Sequence, residues 1–133
     1  MDTFVFFTPI PYQQVALNMQ QASAFILFSR FESQPCVILE ALCCGLPVIS
    51  TNVGGIPDLL NETNGILVES EDIDGLVLAM KSMIEQYQRF NRTAIAEAAK
   101  ATFNYHTIGA RHIQYYDLVL KSSGKLNIAG QLA

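Results

Sequence analysis

Two carboxylates frame the segment of this chain best suited to chemistry. Glu32 and Glu40 stand in the run Ser29-Arg30-Phe31-Glu32-Ser33-Gln34-Pro35-Cys36-Val37-Ile38-Leu39-Glu40-Ala41-Leu42. Ser33 to Pro35 predicts a turn, and the apolar stretch after it predicts a helix closed at Cys44-Gly45. One acid therefore lies in a loop and the other on the first turns of a helix. Both can face the helix N-terminus, where unpaired N–H groups favour anions. A carboxylate accepts two hydroxyl donors at once. The arrangement suits a ligand that carries both a phosphate and sugar hydroxyls.

Those side chains need elements to hold them. Thr3 to Phe7 is β-rich and predicts a short buried strand that ends before Pro9 and Pro11. Tyr12 to Ala22, with Val15, Ala16, Leu17 and Met19, predicts a helix. Ala24-Phe25-Ile26-Leu27-Phe28 is a continuous apolar run, the mark of a strand buried on both faces. Pro47 to Ser50 predicts the next strand. Gly54-Gly55 is a loop, and Pro57 starts a short helix through Leu60. Asn64-Gly65 turns the chain into the strand Ile66-Leu67-Val68. Ile73 to Tyr87 then predicts a helix with Asp72 or Asp74 at its start and Ile73, Leu76, Val77, Met80, Met83 and Ile84 along one stripe. Helices follow over Arg92 to Thr102 and Thr107 to Leu120, the latter carrying Ile108, Ile113, Tyr116 and Leu120. The Ser/Gly-rich residues 122–133 read as a loose tail.

Strands alternating with helices give an α/β chain. Its expected core is an incomplete, doubly wound, Rossmann-like parallel sheet of four strands with a helical C-terminal part. Ligands of such sheets sit beyond the C-terminal strand ends. The segments there are Ser29 to Pro35, Thr51 to Gly55 and Glu69 to Asp72, so the glutamate loop and the di-glycine loop share one rim.

Composition narrows the class. The chain has 133 residues, 50% hydrophobic and 15% charged, enough for one core and low in charge for a free-standing domain. Its net charge of -4 argues against nucleic acid, which draws clustered Lys and Arg. No apolar run reaches the roughly 18 residues of a spanning helix, and no signal-peptide pattern opens the chain. Cys36, Cys43 and Cys44 fit no metal-binding spacing and read as buried free thiols in a reducing, cytoplasmic compartment. The Asn61 and Asn91 N-x-T triplets read as chance. Gly54 and Gly55 either permit a positive-φ turn or face the ligand. Arg30 reads as a surface residue, with a phosphate contact as the alternative. His106 and His112 read as surface or packing residues.

The motif string resembles a known family. Ser29-x-x-Glu32, Glu40-Ala41-Leu42, Gly45-Leu46-Pro47-Val48-Ile49, Val53-Gly54-Gly55-Ile56-Pro57-Asp58 and Asn64-Gly65-Ile66-Leu67-Val68 follow in order. This is similar to the C-terminal, donor-binding domain of retaining GT-B-fold glycosyltransferases of the group 1, family 4 type. The string runs from Ser29 to Val68, and the helical remainder matches more loosely. The resemblance implies transfer of a hexose from a nucleotide-diphosphate sugar to a saccharide or glycolipid, as in polysaccharide biosynthesis, without a cofactor or metal. It puts Glu32 near the reacting sugar carbon as the catalytic residue and Glu40 on the ribose hydroxyls. It puts the donor against Ser33, Gln34, Cys36 and Val37, with Gly54 and Gly55 alongside. Pro35 departs from the family's usual Gly or Ser and offers no N–H. Gln34 replaces a common aromatic residue, and Asp58 a frequent Glu.

Residues 1–121 would then form part of a donor domain whose first two strands, basic diphosphate grip and N-terminal acceptor domain are missing. The chain alone is expected to transfer no sugar. Its open sheet edge is expected either to re-pair Thr3 to Phe7 with Ala24 to Phe28 or to form a homodimer. The parent is cytoplasmic or peripheral at a membrane. The alternative is a non-catalytic nucleotide-binding or assembly module with a degenerate site. A nucleotide-sugar epimerase of the same fold comes third.

Overall fold

The computed structural model describes residues 8–122. Helix α1 (Tyr12–Gln21) begins behind Pro11, whose carbonyl accepts from the Gln14 and Val15 N–H groups. Met19 is its buried residue, whereas Leu17 is 50% exposed. Strand β1 (Phe25–Leu27) follows, then helix α2 (Cys36–Cys43), strand β2 (Val48–Thr51) and strand β3 (Gly65–Val68). The three strands form one parallel sheet in the order β1-β2-β3, with Phe25 beside Val48 and Val48 beside Gly65. The fold is α/β, as the alternation of elements requires. The first predicted strand, Thr3 to Phe7, lies outside the described residues.

Central β2 is buried at all four positions and carries the core with Ile38, Ala41 and Leu42 of α2. Those three helix residues fall at i, i+3 and i+4, one face of a helix. Cys36 lies two residues before Ile38, about 200° around the axis, and its thiol is exposed. Cys43 and Cys44 are half-buried. The thiols are free, but the buried state expected of them is corrected.

The end of α2 follows from Gly45. Its φ of 75° is the left-handed conformation that glycine adopts without a Cβ penalty. The Gly45 N–H donates to the Leu42 carbonyl at 2.9 Å and the Leu46 N–H to the Ala41 carbonyl at 3.0 Å, a Schellman closure. A Cβ on Gly45 would meet the Arg92 carbonyl oxygen at 2.5 Å. Arg92 also donates to the Ala22 carbonyl at 2.9 Å and the Gln20 carbonyl at 3.2 Å. Arg92 thus holds the end of α1 by hydrogen bonds while its backbone packs close against the end of α2.

One strand expectation and one helix expectation change. β1 is half-buried rather than buried on both faces, with Ile26 41% exposed, because it is an edge of the described sheet. Pro57 sits within one 3₁₀ turn, Ile56–Asp58, and does not open a longer helix.

Helix α3 (Ile73–Glu85) starts at Asp72, whose carboxylate accepts from the Gly75 N–H at 2.9 Å. It packs on β3 and β2. Its inward line is Leu76, Ala79 and Met83, whereas Ile73, Val77, Met80 and Ile84 are exposed. The predicted stripe was wider than the face a helix can present to one sheet, so its outer half stays in solvent. A 3₁₀ turn over Tyr87–Arg89 leads to helix α4 (Arg92–Phe103), which buries Ile95 and Ala99. Asn91 opens α4 by accepting from the Ala94 N–H at 3.0 Å, and Asn61 accepts from both the N–H and the hydroxyl of Thr63.

The chain divides into two compact units between Ala99 and Lys100. In the second, helix α5 (Tyr105–Ser122) runs to the residue where the tail was expected to begin, and residues 123–133 lie outside the described set. Asn104 caps it by accepting from the Thr107 N–H at 2.9 Å. His106 and His112 are exposed, and the His112 ring contacts the Ile108 carbonyl of its own helix. No helix among the described residues is long and apolar enough to cross a membrane.

Candidate functional site

The C-terminal rim of the sheet is built from β2 outward. Ser50 and Thr51, both fully buried, turn their hydroxyls toward the chain leaving β1. Ser50 donates to the Leu27 carbonyl at 2.8 Å and Thr51 to the Ser29 carbonyl at 2.7 Å. These two bonds satisfy one carbonyl at the last residue of β1 and one just beyond it, and they fix where the glutamate loop begins. Ser29 then donates its own hydroxyl to Glu32 Oε1 at 2.8 Å. Glu32 is half-buried. Its carboxylate is thus positioned through a short relay that starts on the central strand.

The di-glycine loop closes on the other side of Glu32. Gly54 has a φ of 55°, and a Cβ there would lie 2.8 Å from the Glu32 carbonyl carbon and closer still to its oxygen. The Gly55 N–H donates to the Ser33 carbonyl at 2.6 Å. A Cβ on Gly55 would meet that same oxygen at 2.8 Å and the side chain of Gln34 at 3.6 Å. The two loops are in backbone contact, which only glycine permits. Gly54 and Gly55 therefore hold Glu32 and Ser33, and the Gly55 N–H is engaged with that loop.

Helix α2 supplies the remaining predicted residues. Ser33, Gln34 and Cys36 are exposed, and Pro35, Val37 and Glu40 are half-buried. Cys36, Val37 and Glu40 share the sector away from Ile38, Ala41 and Leu42, because Glu40 falls four residues after Cys36 and three after Val37. Glu40 Oε1 accepts from the Tyr12 hydroxyl at 3.0 Å, so the start of α1 stands beside this carboxylate. Arg30 is paired with Glu71 at 2.9 Å, with both side chains mostly in solvent. Glu71 adopts a φ of 65°, uncommon for a residue with a Cβ. Phe28, Ser29, Arg30, Glu71 and Ile73 line an open cavity of about 230 Å³ at this rim. A second cavity, about 280 Å³, lies along β3 between Leu60 and Arg89 and includes none of the predicted residues. Among the described residues no three His, Cys, Asp or Glu side chains are grouped to hold a metal ion.

Three contributors were not singled out in the sequence. Ser29 sat inside the quoted motif, and its spacing to Glu32 was the available signal. Thr51 reads only as the first residue of the rim segment after the strand Pro47 to Ser50. Tyr12 lies 28 residues from Glu40, and no local pattern links them.

The family described as glycosyl transferases, group 1, matches residues 2–102, a span that contains every predicted site residue. A phosphatidylinositol N-acetylglucosaminyltransferase polypeptide of Arabidopsis thaliana is 29% identical over 116 residues, covering 87% of this chain and 26% of that protein. Glycogen synthase of Mycobacterium tuberculosis is 26% identical over 110 residues, covering 80% of this chain and 27% of that protein. Among solved structures, sucrose-phosphate synthase from Thermosynechococcus elongatus superposes with a TM-score of 0.74 at 26% identity, over 89% of this chain and 30% of that one. The chain spans about a quarter of the length of the curated relatives named.

Proposed function

The chain belongs to the group 1 glycosyl transferases, and we propose that it is the donor-binding part of an enzyme moving a hexose from a nucleoside-diphosphate sugar to a saccharide or glycolipid, with retention at the transferred carbon. The observation that carries this reading is the rim itself. Glu32 stands on a relay-fixed loop beyond the C-terminal end of β1, where such folds take their ligands, and Glu40 stands in the middle of α2, the helix that this loop enters.

In this reading Glu40 accepts the ribose hydroxyls, for which a carboxylate offers two oxygens. Glu32 faces the transferred sugar near its reacting carbon. Ser33, Gln34, Cys36 and Val37 border the diphosphate and sugar, where the start of α2 favours the charge that builds on the leaving group. Pro35 offers no N–H there. Gly54 and Gly55 keep the Glu32 loop in place. The reading assigns no metal or cofactor to the chain. Most of the acceptor contacts and the basic groups that meet the diphosphate come from a larger protein in this reading, and the 133-residue chain alone turns over no donor. The outer side of β1 is where further strands, or a second copy, would add.

Ligand-observed NMR titration of the 133-residue chain with UDP, GDP and ADP tests the reading, with Glu40→Ala as the comparison. Weak binding of one nucleotide, lost in the variant, is the expected result, and the preferred base would name the donor class. Equal binding to both proteins would refute the role of Glu40. Turnover of a nucleotide sugar by this chain alone would refute its being only a part.

A further inference from the structure

The geometry points to Tyr12 as a positioning residue that presets Glu40 for a vicinal diol. The inference rests on the ribose role proposed above for Glu40 and extends it to a residue that no sequence motif links to that site.

Tyr12 is the first residue of α1, set directly behind Pro11. The side chain is 67% exposed, so water could satisfy its hydroxyl. It donates instead to Glu40 Oε1 at 3.0 Å. The bond joins the first turn of α1 to the middle of α2. α1 is anchored at its other end as well, where Arg92 holds the Gln20 and Ala22 carbonyls. The hydroxyl is therefore carried on a helix fixed at its far end, not on a loose segment.

The chemical consequence concerns rotamers. Glutamate has three side-chain torsions, and ordering them on ligand binding opposes affinity. A hydroxyl that already holds one oxygen restricts those torsions before the ligand arrives. A carboxylate has about four lone-pair sites on its two oxygens. One donation from Tyr12 thus leaves capacity for the two hydroxyls of a ribose. A ligand that lacks one hydroxyl gains less from a preset carboxylate. The signature of Tyr12 is accordingly discrimination between ribose and deoxyribose, not affinity alone.

The test compares UDP, GDP and ADP each with its 2′-deoxy form on the full chain, in the natural protein and in Tyr12→Phe, by the same NMR titration, and reads the pair that binds. The urea midpoint is measured in parallel. The expected result is a three- to fivefold smaller ratio of the two Kd values in Tyr12→Phe, roughly the size of one modest hydrogen bond, with the midpoint unchanged. A ratio that stays the same, whether or not both affinities fall, would overturn the proposal and leave Tyr12 a packing residue. A larger ratio would also overturn it, by showing that the hydroxyl competes with the ribose. If the natural protein binds none of the three nucleotides, or fails to distinguish the one it binds from its 2′-deoxy form, the ribose role of Glu40 falls and this proposal with it.

Discussion

Replacing Gly54 by alanine probes how tightly the di-glycine loop holds the glutamate loop. Two costs add. The residue has a φ of 55°, and an L side chain in that region costs about 1–2 kcal/mol. The new methyl would also sit 2.8 Å from the Glu32 carbonyl carbon and closer to its oxygen. Both partners are backbone, so no rotamer relieves the overlap, and the loops must part. Parting strains the 2.6 Å bond from Gly55 to Ser33, worth about 0.5–1.5 kcal/mol net. The sum is a destabilisation of about 1.5–3.5 kcal/mol, in the range that marks a special backbone site. Urea denaturation followed by circular dichroism reads it directly. Gly54→Asn separates the two costs, because Asn tolerates the positive φ better but keeps the overlap. If the overlap dominates, Asn fares little better than Ala. A Gly54→Ala loss below about 0.5 kcal/mol, typical of a neutral surface change, would refute the close contact between the two loops.

Three further outcomes follow from single contacts. Thr51→Val keeps the shape of a fully buried side chain but leaves the Ser29 carbonyl without its 2.7 Å donor, so stability should fall by about 1–3 kcal/mol in urea denaturation. Asp72→Ala removes the acceptor for the Gly75 N–H at the start of α3, at a cost of about 1 kcal/mol, visible as faster amide exchange at Gly75. Gly109→Ala is the opposite case: it lies inside α5 with nothing within 4 Å of the new methyl, and helicity and stability should rise by about 0.5–1 kcal/mol.

What the sequence disclosed was local or periodic. The Gly45 stop, the Asp72 start and the Asn64-Gly65 turn each depend on a few neighbouring residues, and each is found where the residue types require it. The shared rim of the glutamate and di-glycine loops followed from strand and helix alternation. Burial was less legible. Ile73, Val77, Met80 and Ile84 have the same chemistry as Leu76 and Met83, and only the line of contact with the sheet separates them. The apolar run 24–28 read as doubly buried because such runs usually are, whereas among the described residues β1 is an edge strand and only half-buried. Cys36 lies on the far side of α2 from the core, which the apolar composition of that helix conceals. Around the site, the contact of Gly54 with Glu32 and the bond from Tyr12 to Glu40 are tertiary, and no spacing rule reaches across 22 or 28 residues to disclose them.

The clasp made by Arg92 bears on the order in which the chain assembles. Its bonds to Ala22 and Gln20 span 70 and 72 residues of sequence, whereas the sheet ladders and the α2 closure join much nearer segments. Closing a longer loop costs more chain entropy, and distant contacts are made late. On a growing polypeptide, β1, α2, β2 and β3 can all pair before Arg92 has been synthesised. Until then the end of α1 has no guanidinium to hold it. The end of α1 is thus among the last places to be locked as the chain assembles, and the guanidinium that locks it belongs to a helix on which neither glutamate lies.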